Sequence, residues 1–154
     1  MIDDLLRIAE ELAAHDDAGR PRQAYLRRSL STTYYALFHA LARLCADELI
    51  GVTRANTDPW VRVYRALDHG EAKKSLRQDR VRHLDPAVRM FADLFVDFQE
   101  KRHVADYDPR PFPYSRRVVR RYVEQARQAL DALSQLDSEH RRVVATAVLL
   151  KSRP

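Results

Sequence analysis

The 154-residue chain has few cysteines and glycines, and both shortages exclude classes of functional site. Its single cysteine, Cys45, can form neither a disulfide within the chain nor a thiolate zinc site. It lies among apolar neighbours in a predicted helix, so we expect it to fill the core. The three glycines, Gly19, Gly51 and Gly70, are too far apart to form a glycine-rich phosphate-binding loop.

The chain also lacks a long apolar run. The longest nearly continuous one, VVATAVLL at 143–150, is too short to span a bilayer. The first seventeen residues are acidic and amphipathic, which does not fit a secretory signal. We therefore expect a cytoplasmic protein that does not bind a membrane.

Alternating β-branched and polar residues are absent, and apolar residues recur at helical spacing almost throughout. This pattern predicts an all-α protein of five to six helices. With 154 residues and 45% hydrophobic composition, we expect one domain over 1–154. The predicted helices run from Ile2 to His15, from Pro21 to Ile50, from a cap at Asp58 to a break at Gly70, from a cap at Asp85 into 100–109, onward from a cap at Ser115, and over 138–151. The basic stretch over 71–83 is expected to be a short helical turn and a loop.

Charge is distributed unevenly, although the formal net charge is only +5. Residues 1–17 carry six acidic side chains and one arginine, whereas 71–83 and 110–127 are basic. Such asymmetry is typical of a polyanion-binding surface, but codon bias toward arginine explains it equally well. The candidate nucleic-acid contacts are Arg116, Arg117, Arg120 and Arg121.

The second predicted helix is apolar around most of its middle, so we expect it to lie at the centre of the bundle. One stripe of this helix stays polar, with side chains at steps of three and four residues. It is either a half-exposed face whose polar groups bond to neighbours or the wall of a cleft. The polar stripe consists of Arg28, Thr32, Tyr35, His39 and Arg43.

The stretch EKRHVADYDP, residues 100–109, ends the fourth predicted helix. Arg102 and Asp106 are four residues apart and can pair on the helix surface. A carboxylate in the last turn faces the negative end of the helix dipole, so Asp106 needs a cation from Arg102 or from another helix. Tyr107 adds a ring and a hydroxyl suited to closing a pocket. The cluster therefore predicts either a structural hub or a ligand site.

We predict that this cluster faces the polar stripe, so that Arg102, held by Asp106, comes near Tyr35 or His39 in one cleft. The reason is that buried polar groups without partners cost about 1–3 kcal/mol each. The polar stripe of the central helix needs polar neighbours, and the cluster at the end of helix four supplies them. The residues expected to contact a ligand are Arg28, Tyr35, His39, Arg102, Asp106 and Tyr107. His103 and the neighbouring aspartates are too few to bind a metal, so we expect neither a metal nor a cofactor.

LRRSLSTTYYALFHALARL in helix two, YRALDHG and EKRHVADYDP together resemble the HEPN superfamily (higher eukaryotes and prokaryotes nucleotide-binding domains) over about residues 20–136. The match is closest to a branch in which helix four ends in an Arg-x-x-Ala-Asp-Tyr pattern, here Arg102, Ala105, Asp106 and Tyr107. The resemblance implies an antiparallel helical bundle, with its core over about 20–136, that is commonly a homodimer. Many members are metal-independent ribonucleases of toxin-antitoxin and phage-defence systems, and others bind nucleotides or pair with small nucleotidyltransferases.

Catalytic members of that superfamily carry an arginine followed, after four to six residues, by a histidine near this helix end. Arg102 matches the arginine, but after His103 the next histidine is His140, so the spacing is not met. The resemblance therefore implies an atypical or non-catalytic member that binds RNA or a nucleotide in a toxin-antitoxin, defence or stress context. A nucleotidyltransferase or an antitoxin is the partner protein that it implies.

Two other functions stay open. An active ribonuclease would use Arg102 at the phosphate and His39 or His103 as the base. A protein-interaction module would instead dock its partner through the apolar segment 143–150. His69 stands beside Gly70 and is expected only to cap the end of helix three.

Overall fold

The computed structural model describes residues 1–15, 19 and 22–150. Within these residues the chain forms eight α-helices and one short 3-10 helix, and no strand is present, which confirms the all-α prediction. The helices are α1 (Ile2–Ala14), α2 (Gln23–Leu49), α3 (Asp58–Ala66), α4 (His69–Leu76), α5 (Asp79–Arg82), α6 (Pro86–Tyr107), α7 (Arg116–Ser134) and α8 (Ser138–Leu149), with the 3-10 helix at Val52–Arg54. The predicted start of helix two at Pro21 and the end of the last helix at Lys151 lie outside the described residues.

The longest helix, α2, is the central one, as predicted, and it packs against α1, α3, α6, α7 and α8. Its apolar side chains recur at helical spacing, and Leu30, Leu37 and Leu41 are fully buried. Burying an aliphatic side chain of this size contributes about 1.5–3 kcal/mol. Cys45 is buried in the same core, as expected, and burial raises the pKa of its thiol to about 12.

Several helix ends follow the predicted signals. The Asp85 carboxylate accepts a hydrogen bond from the Ala87 amide at 2.7 Å and caps α6, and the Ser115 hydroxyl caps α7. Gly51 follows α2 with a φ of 110°, a conformation that a residue with a side chain rarely adopts, so the helix ends there.

Predictions around α3 and α4 were wrong in two places. Asp58 does not cap α3: it is the first helical residue, and Thr57 precedes it without a capping side-chain bond. His69 and Gly70 do not end a helix but begin α4, because the Asp68 carboxylate accepts hydrogen bonds from the amides of Gly70 and Glu71. His69 is therefore placed at a helix start.

The basic stretch 71–83 also differs from the prediction, because it forms most of α4 and all of α5 rather than a turn and a loop. Ala72, Leu76 and Val81 are fully buried, so these two short helices belong to the core. They explain why the described chain has eight helices where five to six were predicted.

Arg27 joins the start of α2 to the end of α6. Its guanidinium donates hydrogen bonds of 2.9–3.1 Å to three backbone oxygens, those of Val104, Ala105 and Asp108. The last carbonyls of a helix have no partner within the helix and carry partial negative charge, so a cation is favourable there.

Further along α2, Tyr34 contacts Phe95 in the middle of α6, and the two helices therefore run antiparallel.

Replacing Arg27 with Met should lower the free energy of unfolding by about 1.5–3 kcal/mol, because these oxygens lose a charged donor. Urea unfolding followed by circular dichroism measures the change. Arg28→Met is the matched control, since Arg28 is exposed and forms no hydrogen bond or ion pair with the described residues. The control should change stability by less than about 0.5 kcal/mol. Equal effects of the two substitutions would contradict the role given to Arg27.

Candidate functional site

Arg102 and Asp106 form an ion pair at the end of α6. The Arg102 Nε donates to Asp106 Oδ2 at 2.9 Å, and the two side chains are 18% and 17% exposed. The hydroxyl of Ser31 on α2 also donates to Asp106 Oδ2, at 3.3 Å. The carboxylate is thus held from a second helix and orients the guanidinium.

Three tyrosine rings surround the guanidinium of Arg102. Its Cζ lies 5.6 Å from the ring centroid of Tyr34, 5.5 Å from that of Tyr35 and 6.0 Å from that of Tyr107. The faces of aromatic rings attract cations at such distances, so the rings restrict the arginine further. The predicted approach of Arg102 to Tyr35, a member of the polar stripe, is confirmed.

The terminal nitrogens of Arg102 stay available, because neither Nη1 nor Nη2 bonds to another residue in the part of the chain that the structure describes. The side chain also lines a surface pocket of about 350 Å³, together with Lys73, Gln99, Glu100 and His103. Tyr107 is 64% exposed beside it. Arg102 therefore presents two donor nitrogens and a positive charge near the surface.

His69 joins this cluster, although the sequence analysis assigned it only a capping role. Its Nδ1 lies 2.6 Å from the Tyr34 hydroxyl, and its ring stacks on Phe38 with centroids 3.9 Å apart. Burial and the nearby charge of Arg102 lower the pKa of His69, which favours the neutral ring at neutral pH. The signal that identifies its position is Asp68, a strong N-cap residue directly before it.

His39 does not contact Arg102 directly. Its Nδ1 lies 2.7 Å from the Tyr64 hydroxyl of α3, and the two rings are stacked with centroids 5.9 Å apart. Burial lowers the pKa of His39. Its ring centroid is 6.4 Å from that of Tyr35, so the polar stripe connects this second histidine to the Arg102 cluster. Arg28, at the other end of the stripe, is exposed.

The four basic residues of α7 differ in what surrounds them. Arg116 donates to the backbone oxygens of His15 and Gly19, at 3.1 and 3.2 Å, and so connects α7 to the end of α1. Arg117 and Arg121 are exposed.

Acidic side chains of α1 lie close to the same basic helix. Arg120 lines a surface pocket with Glu10 and Glu11, and Arg127 pairs with Glu10 at 2.6 Å. Part of the positive charge of α7 is therefore balanced within the protein.

The apolar segment 143–150 lies mostly in α8 and turns much of its surface inward. Val144, Ala145 and Val148 are buried, whereas Val143 and Leu150 are exposed. The helix packs against α2, α4 and α5, so most of its apolar residues already have partners within the chain.

Within the described residues, no three side chains of His, Cys, Asp or Glu stand close enough together to hold a metal ion. Among the helices that the structure describes, none combines the length and the apolar character needed to cross a membrane.

No family model, curated protein or solved structure matches this chain. Its relation to the HEPN superfamily therefore stays a resemblance, which rests on the motifs in α2 and at the end of α6.

Proposed function

We propose that this protein is a HEPN-like module that binds RNA or a nucleotide through a phosphate group on Arg102. The observation that carries the proposal is the state of this side chain, whose Nε is held by Asp106 while Nη1 and Nη2 have no partner in the described residues. A guanidinium presents its paired N–H groups in a plane that matches two phosphate oxygens. The carboxylate on Nε fixes the direction in which that pair points.

The surrounding rings suit the rest of a nucleotide. Tyr107 is exposed and Tyr35 half-buried, and both rings lie within about 6 Å of the guanidinium. Proteins that bind single-stranded RNA stack unpaired bases on aromatic side chains beside cationic groups. A phosphate on Arg102 and a base on one of these rings would use both features together.

The resemblance supplies the biological context of the proposal. It implies a homodimer in a toxin-antitoxin, defence or stress system, with a nucleotidyltransferase or an antitoxin as partner. The exposed Arg117 and Arg121 would add a salt-dependent attraction for RNA without contacting the site at Arg102.

Replacing Arg102 with Met should weaken binding to a single-stranded ribo-oligonucleotide by at least about tenfold, because a charge-assisted phosphate contact is lost. Fluorescence anisotropy at several salt concentrations measures the affinity, and the slope of log K against log salt should fall by about 0.7, the value for one phosphate contact on a single strand. Circular dichroism verifies the fold of the variant.

The matched control is Arg89→Met. Arg89 also lies on α6 and pairs with the aspartate four residues later, Asp93, at 3.9 Å, but no aromatic ring in the described part of the chain contacts it. This control should bind RNA like the wild type. An Arg102 variant with unchanged affinity and salt slope would refute phosphate binding at this site.

A second function, metal-independent RNA cleavage, is favoured by the contact between His69 and Tyr34. A neutral imidazole near an arginine can accept the proton of a ribose 2′-hydroxyl while the guanidinium stabilises charge on the phosphate. The 2′-oxygen would bond to phosphorus, and the 5′-oxygen of the next nucleotide would leave and take up a proton. The Nε2 of His69 has no partner in the described residues, and it can act as this base in the tautomer whose Nδ1 carries the proton and donates it to the Tyr34 oxygen.

If this second function holds, the purified protein should cleave single-stranded RNA in the presence of EDTA and leave 2′,3′-cyclic phosphate ends. Cleavage should slow as the pH falls through the pKa of His69, because protonation removes the base. This pKa is lowered from the ordinary histidine value of about 6.5, so the loss should begin at a lower pH than for an exposed histidine. His69→Gln should abolish cleavage, whereas His83→Gln, at an exposed histidine outside the site, should retain it. RNA that stays intact with the wild type would leave binding as the only function.

A further inference from the structure

The motif around Arg102 occurs a second time in the chain. Residues 43–47 read RLCAD and residues 102–106 read RHVAD, so both carry Arg-x-x-Ala-Asp. In α2 the Arg43 Nε lies 3.4 Å from Asp47 Oδ2. The indole N–H of Trp60 donates to Asp47 Oδ1 at 2.9 Å. The aspartate is thus fixed by another helix, as Asp106 is by the Ser31 hydroxyl.

Arg43 is also the more exposed of the two arginines. Its side chain is 59% exposed, and its Nη1 and Nη2 form no bond with the residues that the structure describes. Aromatic rings lie beside its partner, because Trp60, which bonds to Asp47, stacks on Tyr64 with ring centroids 5.1 Å apart. Arg43 therefore shares three features with Arg102, namely an Nε paired with a fixed aspartate, terminal nitrogens without a partner in the described residues, and aromatic rings close to the ion pair.

A continuous path of rings connects the two arginines. Tyr64 stacks on His39 with centroids 5.9 Å apart, His39 lies 6.4 Å from Tyr35, and the Tyr35 ring is 5.5 Å from Arg102 Cζ. All three rings are half-buried, so each still exposes part of its surface. The path follows the polar stripe of α2 from the Arg102 guanidinium to Tyr64, which stacks on Trp60, and the Trp60 indole bonds to Asp47, the partner of Arg43.

The length of this path decides what kind of ligand fits it. Tyr35 and Arg43 are eight residues apart in one helix, which corresponds to about 12 Å at 1.5 Å per residue. A stacked nucleic-acid strand advances about 3.4 Å per nucleotide, so about three or four nucleotides cover that distance. A mononucleotide reaches one arginine but not both.

We propose that Arg43 is a second phosphate-binding residue, and that the path from Arg102 to Arg43 holds a short single strand of RNA with its bases on the rings of Tyr35, His39 and Tyr64. This inference rests on the proposed function and assigns it a ligand class. Aromatic stacking accepts any base, so binding along the path depends on strand length more than on sequence. A duplex is excluded, because its bases are paired and stacked on each other and cannot lie on the rings.

Three probes test the inference: adenosine monophosphate, a six-nucleotide single-stranded RNA and a duplex that contains the same sequence. The wild type should bind the hexamer at least about tenfold more tightly than the mononucleotide, because two phosphate contacts replace one. The duplex should bind more weakly than the hexamer. Isothermal titration calorimetry measures all three affinities.

Arg43→Met should lower the affinity for the hexamer about 3- to 10-fold and leave the affinity for adenosine monophosphate unchanged. Arg43→Lys, which keeps the charge, should lose less. Arg89→Met serves again as control, because Arg89 is equally exposed at 59% and has a paired aspartate but no ring beside it.

The outcomes separate this inference from the proposed function. Unchanged hexamer affinity in Arg43→Met, equal binding of mononucleotide and hexamer, or preference for the duplex would overturn the second phosphate site while Arg102 keeps its role. If Arg102→Met binds both the mononucleotide and the hexamer as the wild type does, or if no probe binds to the wild type, the proposed function fails and the inference fails with it.

Discussion

The hydrogen bonds from the Arg27 guanidinium to the last carbonyls of α6 are the interaction on which the candidate site depends. That helix end carries partial negative charge, and Asp106 adds a full charge in the same turn. Two arginines compensate this negative charge: Arg27 donates to the backbone oxygens, and Arg102 donates to the Asp106 carboxylate. Because Arg27 belongs to the central helix, it also holds the end of α6 where Arg102 meets the rings of Tyr34 and Tyr35.

For the proposed binding of phosphate, the orientation of individual arginines is more important than the total charge of the protein. The acidic helix α1 packs against the basic helix α7, and Arg127 pairs with Glu10 across that interface. Exposed ion pairs of this kind contribute little to stability, about 0–1 kcal/mol, but they reduce the positive field that α7 presents to a polyanion. Arg102 and Arg43 differ from these residues, because each pairs with its aspartate through Nε and leaves both terminal nitrogens without a partner in the described residues.

The sequence was sufficient to predict the long helices and the pair of Arg102 with Asp106, because both depend on residues three or four positions apart. It did not reveal Arg27, since helical spacing alone favours its neighbour Arg28 as part of the polar stripe. Each residue turns a helix by about 100°, so Arg27 faces α6 while Arg28 is exposed. His69 was missed for a related reason: it reaches Tyr34 from α4, whose eight residues are fewer than the window over which helical periodicity is recognised.

The central claim is that the terminal nitrogens of Arg102 bind phosphate, and the most direct measurement observes these nitrogens during an RNA titration. Protein labelled with ¹⁵N-arginine gives guanidinium signals by NMR, and the Arg102→Lys variant identifies those of Arg102 by their loss. On addition of a single-stranded ribo-oligonucleotide, the Nη signals of Arg102 should shift and saturate together with binding, because phosphate oxygens restrict rotation of the group. Saturated binding with unchanged Arg102 signals, and with shifts confined to Arg117 and Arg121, would contradict the account.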